Sequence, residues 1–368
     1  MKILSIYRGK IGENRGTPIR IKTLLSYLAK EKDIELSYCS WDERADIPAK
    51  HFMLTNNHFD DIKKIVRYAK ENNIDIIIGH TMSAGYYLGP LKFLTRAKIV
   101  LEMHGFIEEE AYLYGGIGNA RRLATKFLYG LFYPFCDLIT TCSDTATEIL
   151  SAYNKNTFSI FCGVDPEIFN PKIQPSHYVR KDGRIIIGYI GNARIWQGTD
   201  FLIDTYKELK QKDSRFRLVM ALSEKKARRD DTVEYVGPLL HEEIPAFIAE
   251  CDILVIPRPQ NTVNRISFPS KLPEYMAMGK PVIASKTSDA HKFITDGADG
   301  LLYEPEDKKG LENAILKLSD GALREKIGIN ASLTIHKWYE YDRQSGRMVQ
   351  LLKMLYNGDK FMLSKNKE

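Results

Sequence analysis

The sequence lacks the features of several large protein classes. No stretch approaches the roughly 20 apolar residues that a membrane-spanning helix needs, and the short apolar run at Ile3–Tyr7 fits a first strand better than a signal peptide. The five cysteines are scattered, without a Cys-x-x-Cys pair, which favours a reduced cytoplasmic compartment. The net charge of +6 is mild, and no basic stripe or RNA-binding aromatic signature accompanies it, so we expect no nucleic acid partner.

The chain instead contains alternating strand and helix patterns, which predict parallel sheets covered by helices on both faces. Strands are predicted near residues 2–7, 34–39, 75–79, 98–103, 137–141, 157–161, 185–190, 216–221, 233–236, 252–256, 281–285 and 300–303. Helices are predicted near residues 18–31, 58–73, 83–94, 119–133, 145–152, 199–211, 307–319, 321–332 and 336–355. The predicted fold class is α/β, with two doubly wound, Rossmann-like domains.

The length of 368 residues and a linker-like composition at 171–183 divide the chain into two domains. We expect a first domain over 1–170, joined by the C-terminal helix at 338–368, and a second domain over 171–337. The alternative that the last helix only caps the second domain stays open. Ligands of open α/β sheets bind at the carboxyl ends of the strands, so a cleft between the domains is the expected site.

The most informative segment lies at 267–285, where a loop leads into a short helix, a glycine turn and a buried strand. Pro273 belongs in the first helical turn, which makes Ser270 the predicted N-cap, with Lys271 and Leu272 at the first helical positions. Free N–H groups of Lys271 and Leu272, the helix dipole and the lysine side chain together predict an anion site. Glu274, one step further into the helix, is placed to accept hydrogen bonds from ribose hydroxyls. Stabilisation of the helix dipole is its alternative role.

Several segments, in this order and spacing, resemble the family 4 glycosyltransferases of the GT-B fold over nearly the whole chain. They are Glu102-Met-His-Gly105, Asp137-Leu-Ile-Thr-Thr-Cys-Ser143, Gly163-Val-Asp-Pro-Glu-Ile-Phe-Asn-Pro171, Gly188-Tyr-Ile-Gly191, Tyr235-Val-Gly-Pro238, Ala249–Pro257 and Glu274–Val282. The resemblance implies a retaining transferase that moves a sugar from a nucleotide diphosphate donor to an acceptor hydroxyl. It also implies that no cofactor or metal is needed, in keeping with the lack of an Asp-x-Asp pair placed for a metal.

The resemblance also implies roles for single residues. His104, Arg194 and Lys271 are the predicted catalytic residues, and His104 would touch the donor sugar. Donor binding is predicted for the glycine-rich first loop at Gly16 and Thr17, and for a second set in the second domain. That set is Gly191, Asn192, Gln197, Gly237, Ser270, Lys271, Leu272 and Glu274.

The chain departs from the family pattern at Cys162, where an Asn is usual, and at three positions of the predicted donor site. Asn192 and Gln197 stand where the family usually has the Arg and Lys that neutralise the diphosphate, and Ile266 stands where it has the first of two glutamates. Arg194 and Lys271 are the predicted replacements for the cations. Asn264, Arg265 or Ser267 are the candidates for the lost glutamate. These losses motivate one alternative, a non-catalytic sugar-nucleotide-binding protein. The nearest rival enzyme is a nucleotide-sugar 2-epimerase on the same fold, which would need a set of acid–base carboxylates that the sequence does not single out.

Two segments of the first domain bear on the acceptor, which would be a glycan, a glycolipid or a small molecule. The run Glu108–Glu110 reads as a solvated surface, although one of its carboxylates could meet acceptor hydroxyls. The helix at 119–135 mixes Arg121, Arg122 and Lys126 with aromatic and leucine residues. It is either an ordinary helix with one core face or a peripheral contact to the inner face of a membrane.

Overall fold

The computed structural model describes residues 1–13, 16–42, 45–55, 57–175, 182–223, 228–287 and 289–362. The chain forms two compact units, one of Met1–Cys162 with Tyr341–Glu368 and one of Gly163–Glu340. Part of the linker predicted at 171–183 lies outside the described residues. No helix within the described residues is long and apolar enough to cross a membrane.

The first unit is built on a seven-stranded parallel sheet with the order β3-β2-β1-β4-β5-β6-β7. Its strands are β1 (Lys2–Tyr7), β2 (Glu35–Ser40), β3 (Lys50–Met53), β4 (Ile76–His80), β5 (Lys98–Met103), β6 (Leu138–Thr141) and β7 (Thr157–Ser159). The central strand β4 is an unbroken run of buried residues, as expected for a parallel strand covered on both faces. The strand order reverses between β1 and β4. In folds of this type, ligands bind beside the loops that follow the strands at such a reversal.

Helices cover both faces of this sheet. They are α1 (Gly16–Leu28), α2 (His58–Glu71), α3 (Thr81–Leu94), α4 (Ile107–Leu113), α5 (Asn119–Phe132), α6 (Asp144–Ser151) and the C-terminal α14 (Tyr341–Asn357). The last helix packs against α1, and its residues Met348, Leu351 and Leu352 are buried in the core of the first unit. The last helix therefore belongs to the first unit.

The second unit has a six-stranded parallel sheet with the order β10-β9-β8-β11-β12-β13. Its strands are β8 (Ile185–Gly191), β9 (Phe216–Leu222), β10 (Glu234–Val236), β11 (Ile253–Ile256), β12 (Val282–Ser285) and β13 (Leu301–Tyr303). Its helices are α7 (Thr199–Lys212), α8 (Ile244–Glu250), α9 (Thr262–Ile266), α10 (Lys271–Ala277), α11 (Ala290–Phe293), α12 (Lys308–Lys317) and α13 (Gly321–Trp338). Two doubly wound parallel sheets confirm the predicted fold class.

The structure also corrects details of the sequence prediction. Strand β3 was not predicted, because Lys50-His-Phe-Met53 is a short edge segment without a buried alternation. The short helices α4, α8, α9 and α11 were likewise missed. The break predicted between residues 332 and 336 is wrong, since α13 continues to Trp338, and its buried Ile335 belongs to the same helix.

Candidate functional site

The candidate anion site lies in the second unit, where the strand order reverses between β8 and β11. Gly191 is the last residue of β8, Arg258 follows two residues after the end of β11, and Lys271 begins α10. The carboxyl ends of parallel strands at such a reversal are where open α/β sheets bind ligands. The fold therefore brings two basic residues, Arg258 and Lys271, from separate segments to the expected position.

Lys271 is held by polar groups, and no carboxylate among the described residues lies within ion-pair distance of it. Its Nζ donates to the hydroxyl of Tyr189 at 3.1 Å and to Oε1 of Gln197 at 3.2 Å. The same Nζ lies 4.1 Å from the centre of the Tyr189 ring. Gly191 makes room for the ammonium group, because a Cβ on Gly191 would lie 2.7 Å from Nζ, and its φ of 140° also favours glycine.

The electrostatics of this cluster favour an anionic ligand. Burial and, after it, the nearby Arg258 guanidinium hold the pKa of Lys271 well below its usual range, although Glu274 acts in the opposite direction. Arg258 is only 6% exposed and donates to Oγ of Ser267 at 3.3 Å. Two partly or fully buried cations that repel each other would both be stabilised by a bound polyanion.

Glu274 lies in the first turn of α10, as predicted, and is partly buried. No described residue forms a hydrogen bond or an ion pair with its carboxyl group. Burial raises the pKa of Glu274 to about 7, against the opposing effect of Lys271. A half-buried carboxyl that has no hydrogen-bond partner among the described residues is suited to accept hydrogen bonds from a ligand, and it is poorly suited to a purely structural role.

The start of α10 differs from the prediction. The helix has seven residues and begins at Lys271, but Ser270 has helical backbone angles and makes no side-chain cap hydrogen bond. The N–H of Leu272 donates to the carbonyl of Pro269 at 2.9 Å, so it is not free for an anion. The first turn begins one residue earlier than it would if Ser270 were the N-cap. The N–H group of Leu272, which was predicted to be free, is therefore used in that turn. The lysine side chain rather than the row of N–H groups is thus the main cationic feature here.

The loop after β8 carries three more predicted residues. The Asn192 carbonyl accepts from the Tyr189 hydroxyl at 2.8 Å, and Oδ1 of Asn192 accepts from the Arg194 N–H at 3.2 Å. The Arg194 guanidinium lies over the Trp196 ring, 5.3 Å from its centre. The Tyr189 hydroxyl also lies 3.4 Å from Oε1 of Gln197. Gln197 stands where the resembled family carries a lysine. The structure places the ammonium group of Lys271 beside Gln197.

The position of the lost first glutamate is filled by a core residue. Ile266 ends α9 and is 3% exposed. Asn264, one candidate replacement, uses its Nδ2 to bind the carbonyls of Trp196 and Pro259, each at 2.8 Å. Ser267 accepts hydrogen bonds from Arg258, and Arg265 is exposed. Gly237 follows β10, and open space surrounds the position of a Cβ there.

In the first unit, His104 belongs to a buried network centred on Glu102 at the end of β5. His104 Nε2 lies 3.0 Å from Oε2 of Glu102, and His80 Nδ1 contacts the same oxygen. Arg20 donates from Nε to Oε1 of Glu102 at 3.0 Å. Burial would raise the pKa of Glu102, but His104, Arg20 and His80 together hold it well below its usual range. Glu102 is thus an ionised carboxylate, and burial lowers the pKa of His104.

His80, Glu102 and His104 also form a possible metal-ligand group, with ligand atoms within 4.8 Å of one another. Arg20 already binds Glu102, and its positive charge would repel a cation. The second ring nitrogen of His80 is bonded to Oγ of Ser5 at 2.7 Å. The geometry therefore fits a hydrogen-bond network better than a cation site, and the metal independence of the protein stays a prediction.

The predicted first loop is ordered by a carboxylate. The N–H groups of Ile11 and Gly12 donate to Asp42 at 2.9 and 2.7 Å. Gly16 and Thr17 form the first turn of α1, where Gly16 is exposed and Thr17 is half-buried. These positions leave the predicted role of Gly16 and Thr17 in donor binding as a prediction.

The prediction that Glu108–Glu110 is a solvated run is wrong. Glu108 and Glu109 are 3% and 2% exposed, because α4 turns both side chains inward. Glu109 pairs with Arg122 at 3.1 Å and with Lys126 at 2.5 Å. Burial raises the pKa of Glu108. Two of the three basic residues considered for a membrane surface are therefore already engaged by Glu109.

The sequence interpretation missed Arg258 and the partners of His104. Arg258 stands in Ile256-Pro-Arg-Pro259, immediately after a buried strand, and a cation at the carboxyl end of a strand is a usable signal. His80 ends β4 and Glu102 lies in the neighbouring strand β5, and the register of the two strands places them opposite each other. Only the strand pairing reveals that contact, and Arg20 joins it from α1.

Two family models match the chain. Residues 25–168 match the glycosyltransferase family 4 model, and residues 184–320 match the model of glycosyl transferases group 1. The chain belongs to the group 1 glycosyltransferases. This glycosyltransferase is therefore a sugar-transferring enzyme, and the predicted family is confirmed.

Individual relatives agree with the family. The glycosyltransferase is 25% identical over 362 residues to an uncharacterised glycosyltransferase of Methanocaldococcus jannaschii. The aligned region covers 90% of this chain and 92% of the relative. It is 26% identical over 200 residues to a capsular polysaccharide biosynthesis glycosyltransferase of Staphylococcus aureus, covering 50% and 51% of the two chains. The structure of Anabaena HepE in complex with UDP and glucose has a TM-score of 0.75, with 18% identity and coverage of 96% and 99%. This last likeness shows a common fold, and the GT-B fold is confirmed.

Proposed function

We propose that this glycosyltransferase moves a sugar from a nucleoside diphosphate donor to an acceptor hydroxyl with retention of the anomeric configuration. The observation that carries the proposal is the Lys271 ammonium, which lies against Gly191 and beside Gln197 with Arg258 close by and has no carboxylate partner among the described residues. A diphosphate would place negative charge directly beside the Lys271 ammonium. The complex of HepE with UDP supports a nucleoside diphosphate as the ligand class.

In the proposed reaction, the bond between the anomeric carbon and the diphosphate oxygen breaks while the acceptor oxygen bonds to the same face of that carbon. Negative charge then grows on the departing diphosphate, where Lys271 and Arg258 stabilise it. A phosphate oxygen takes the proton of the acceptor hydroxyl, so the atoms and charges balance. No covalent enzyme nucleophile and no metal ion take part in this scheme.

Glu274 is proposed to bind the ribose of the donor. Its carboxyl group has no hydrogen-bond partner among the described residues, and a carboxylate accepts from two neighbouring hydroxyls at once. Two such hydrogen bonds favour the ionised carboxylate, so ribose binding is expected to lower the pKa of Glu274 from its value of about 7. His104 is proposed to contact the sugar, as the family resemblance implies.

The proposed acceptor is a lipid-linked sugar, because the first unit exposes an apolar surface. The only buried residue of α5 is Tyr129. The exposed apolar side chains of α5 and its neighbours are Phe93, Leu94, Leu123, Phe127, Leu128, Leu131 and Phe135. Phe93 and Phe135 touch, with ring centres 5.7 Å apart, so side chains of two elements join in one surface. Contiguous exposed apolar surface of this kind marks interaction sites.

The charges around this apolar surface favour an anionic bilayer as its partner. The segments 81–98 and 119–135 contain no Asp or Glu. Arg96 and Arg121 are exposed, and no carboxylate among the described residues pairs with them. Basic residues beside exposed aromatic and leucine side chains are typical of helices that lie on anionic membranes. A small-molecule or soluble glycan acceptor is the alternative that the acceptor experiments separate from this one.

The donor proposal is tested by measuring the turnover of a panel of nucleoside diphosphate sugars, with and without candidate acceptors, and by determining the anomeric configuration of the product by NMR. Lys271→Met should lower kcat about 100- to 1,000-fold and weaken ground-state binding less, because the diphosphate charge is largest in the transition state. Lys286→Met is the matched control, since Lys286 is paired with Glu304 on the surface of the same unit. Full kcat in Lys271→Met would refute the assigned role. Epimerised or unchanged donor in every mixture would favour the epimerase or the binding-protein alternative.

The membrane proposal is tested by cosedimentation with phosphatidylglycerol vesicles and with neutral phosphatidylcholine vesicles. The wild-type protein should bind the anionic vesicles in a salt-sensitive manner, and Phe127→Ser with Leu131→Ser should abolish binding. Leu333→Ser is the matched control, because Leu333 is 65% exposed on α13 of the other unit. Arg122 is left intact because its substitution would leave Glu109 without one of its partners. Equal sedimentation of the double variant and the control would contradict the proposal.

A further inference from the structure

Glu102 accepts hydrogen bonds from three side chains that come from separate elements. Arg20 of α1 binds Oε1, while His80 at the end of β4 and His104 after β5 both contact Oε2. Arg20 is itself fixed, because it also donates to the carbonyl of Ile160 at 2.7 Å and to Sγ of Cys162 at 3.1 Å. The carboxylate therefore has a set orientation, and each of its two oxygens has a defined role.

This arrangement determines which nitrogen of each histidine carries a proton. An ionised carboxylate only accepts hydrogen bonds, so a ring nitrogen that faces it must donate. His104 then carries its proton on Nε2 and His80 carries its proton on Nδ1. The remaining nitrogen of His80 lies 2.7 Å from the Ser5 hydroxyl, which can act as the donor or the acceptor of that hydrogen bond. The contacts of all three residues agree with one pattern of protons.

The same pattern leaves the Nδ1 atom of His104 as a hydrogen-bond acceptor. No described residue forms a hydrogen bond with this nitrogen, and the side chain is 10% exposed. Burial lowers the pKa of His104, which favours the neutral ring. A neutral ring with a proton on Nε2 can accept a hydrogen bond at Nδ1 and cannot donate one there.

We infer that Glu102, anchored by Arg20, is a positioning residue that holds His104 in the Nε2–H form, so that Nδ1 accepts a hydrogen bond from a hydroxyl group of the sugar substrate. The identity of this ligand rests on the proposed function, whereas the state of the ring does not. The substrate hydroxyl must then act as the hydrogen-bond donor, because Nδ1 in this form of the ring only accepts.

The state of the ring is measured by NMR on the full-length protein labelled with ¹⁵N-histidine, without any ligand. His104→Ala identifies the signal of His104 among the eight histidines. The expected spectrum shows His104 protonated on Nε2 and unprotonated on Nδ1 at neutral pH. A ring that carries its proton on Nδ1, or on both nitrogens, would overturn the inference. This measurement on the wild-type protein does not depend on the folding of any Glu102 variant.

Glu102→Gln tests the positioning role, because its amide has one acceptor oxygen and a donating NH₂ group. Part of the His104 population should shift to the Nδ1–H form, and kcat/KM should fall about 2- to 10-fold, as expected for a neutral hydrogen bond. Glu109→Gln is the matched control, since Glu109 is equally buried and is also paired with an arginine, and it should leave the His104 signals unchanged. If Glu102→Gln does not fold, Arg20→Met combined with Glu102→Gln removes both charges of the pair.

Two further measurements separate positioning from other roles. In the His104→Ala background, Glu102→Gln should cause no additional loss of kcat/KM, whereas additive losses would show that Glu102 acts independently of His104. Zn²⁺ titrated into the wild-type protein should leave the signals of His80 and His104 in place, and specific shifts of both would make the group a cation site and overturn the inference. If the ring has the expected form but no nucleoside diphosphate sugar is turned over, the proposed function fails while the assignment of the ring stands.

Discussion

Glu274→Gln is expected to stabilise the ligand-free protein at pH 8 and to weaken its binding of nucleoside diphosphates. Burial raises the pKa of Glu274 from its ordinary value of 4.5 to about 7. Between pH 4.5 and about pH 7, Glu274 is therefore protonated in the folded protein and ionised in the unfolded chain. The stabilising contribution of the protonated carboxyl group to the free energy of unfolding is fully present below pH 4.5. It is lost as the pH rises through about 7.

The magnitude follows from the same two values. The difference between 4.5 and about 7 corresponds to roughly 3 kcal/mol of unfolding free energy once both states are ionised. Glutamine has no charge to bury, so the variant avoids this cost. The stability of Glu274→Gln relative to the wild type should therefore be higher at pH 8 than at pH 5, by about 2–3 kcal/mol.

Urea unfolding at pH 5 and pH 8 measures the first effect, and calorimetric titration with UDP at pH 8 measures the second. Loss of a charge-assisted hydrogen-bond pair costs about 1.5–3 kcal/mol, so UDP affinity should fall roughly tenfold or more. Glu242→Gln is the control, because Glu242 is exposed in the same unit and its substitution should change neither quantity. The reasoning is refuted if Glu274→Gln lowers stability equally at both pH values and leaves UDP affinity unchanged, since Glu274 would then be a structural residue.

Three further substitutions test the packing around the site and the last helix. Gly198→Ala should cost at least about 2 kcal/mol in urea unfolding, because its φ is +71° and its Cβ would lie 1.8 Å from the Pro257 carbonyl oxygen; wild-type stability would contradict this geometry. Gly191→Ala should displace the Lys271 ammonium and weaken UDP binding roughly tenfold in calorimetry, and unchanged affinity would argue against a role for that lysine. Leu352→Ala in the last helix should cost about 2–5 kcal/mol, whereas the same change at the exposed Leu333 should cost less than about 0.5 kcal/mol, so equal losses would disprove the packing of α14.

Much of the fold was predictable because its signals are local. Buried runs such as Ile76-Ile-Ile-Gly-His80 mark central parallel strands. The pattern of the last helix predicted the helix itself, but it left open which half of the chain the helix packs against, and the packed core places it in the first unit. The short edge strand β3 carries no such pattern and was missed. The glutamates at 108 and 109 look solvated in sequence because their burial depends on Arg122 and Lys126, which belong to another helix.

The candidate site was predictable to a similar extent. The segment Lys271–Glu274 was identified from sequence because Pro273 marks the first turn of a helix, and a lysine and a glutamate lie in that same turn. The free N–H of Leu272 was predicted wrongly, since sequence cannot fix the residue at which a short helix turn begins. Arg258 was overlooked, although its position directly after a buried strand is a recognisable signal.

The sequence by itself determined the alternation of strands and helices, the family and the segment that carries Lys271 and Glu274. Hydrophobic periodicity and turn residues act over a few positions, so they can be read without the fold. Only the tertiary structure decided that Lys271 meets Gln197, 74 residues away, and that Arg20 meets Glu102, 82 residues away. Such contacts depend on strand order and register in the sheet. The charge balance of the site follows from those contacts, because each ionisable group responds to whichever groups the sheet brings beside it.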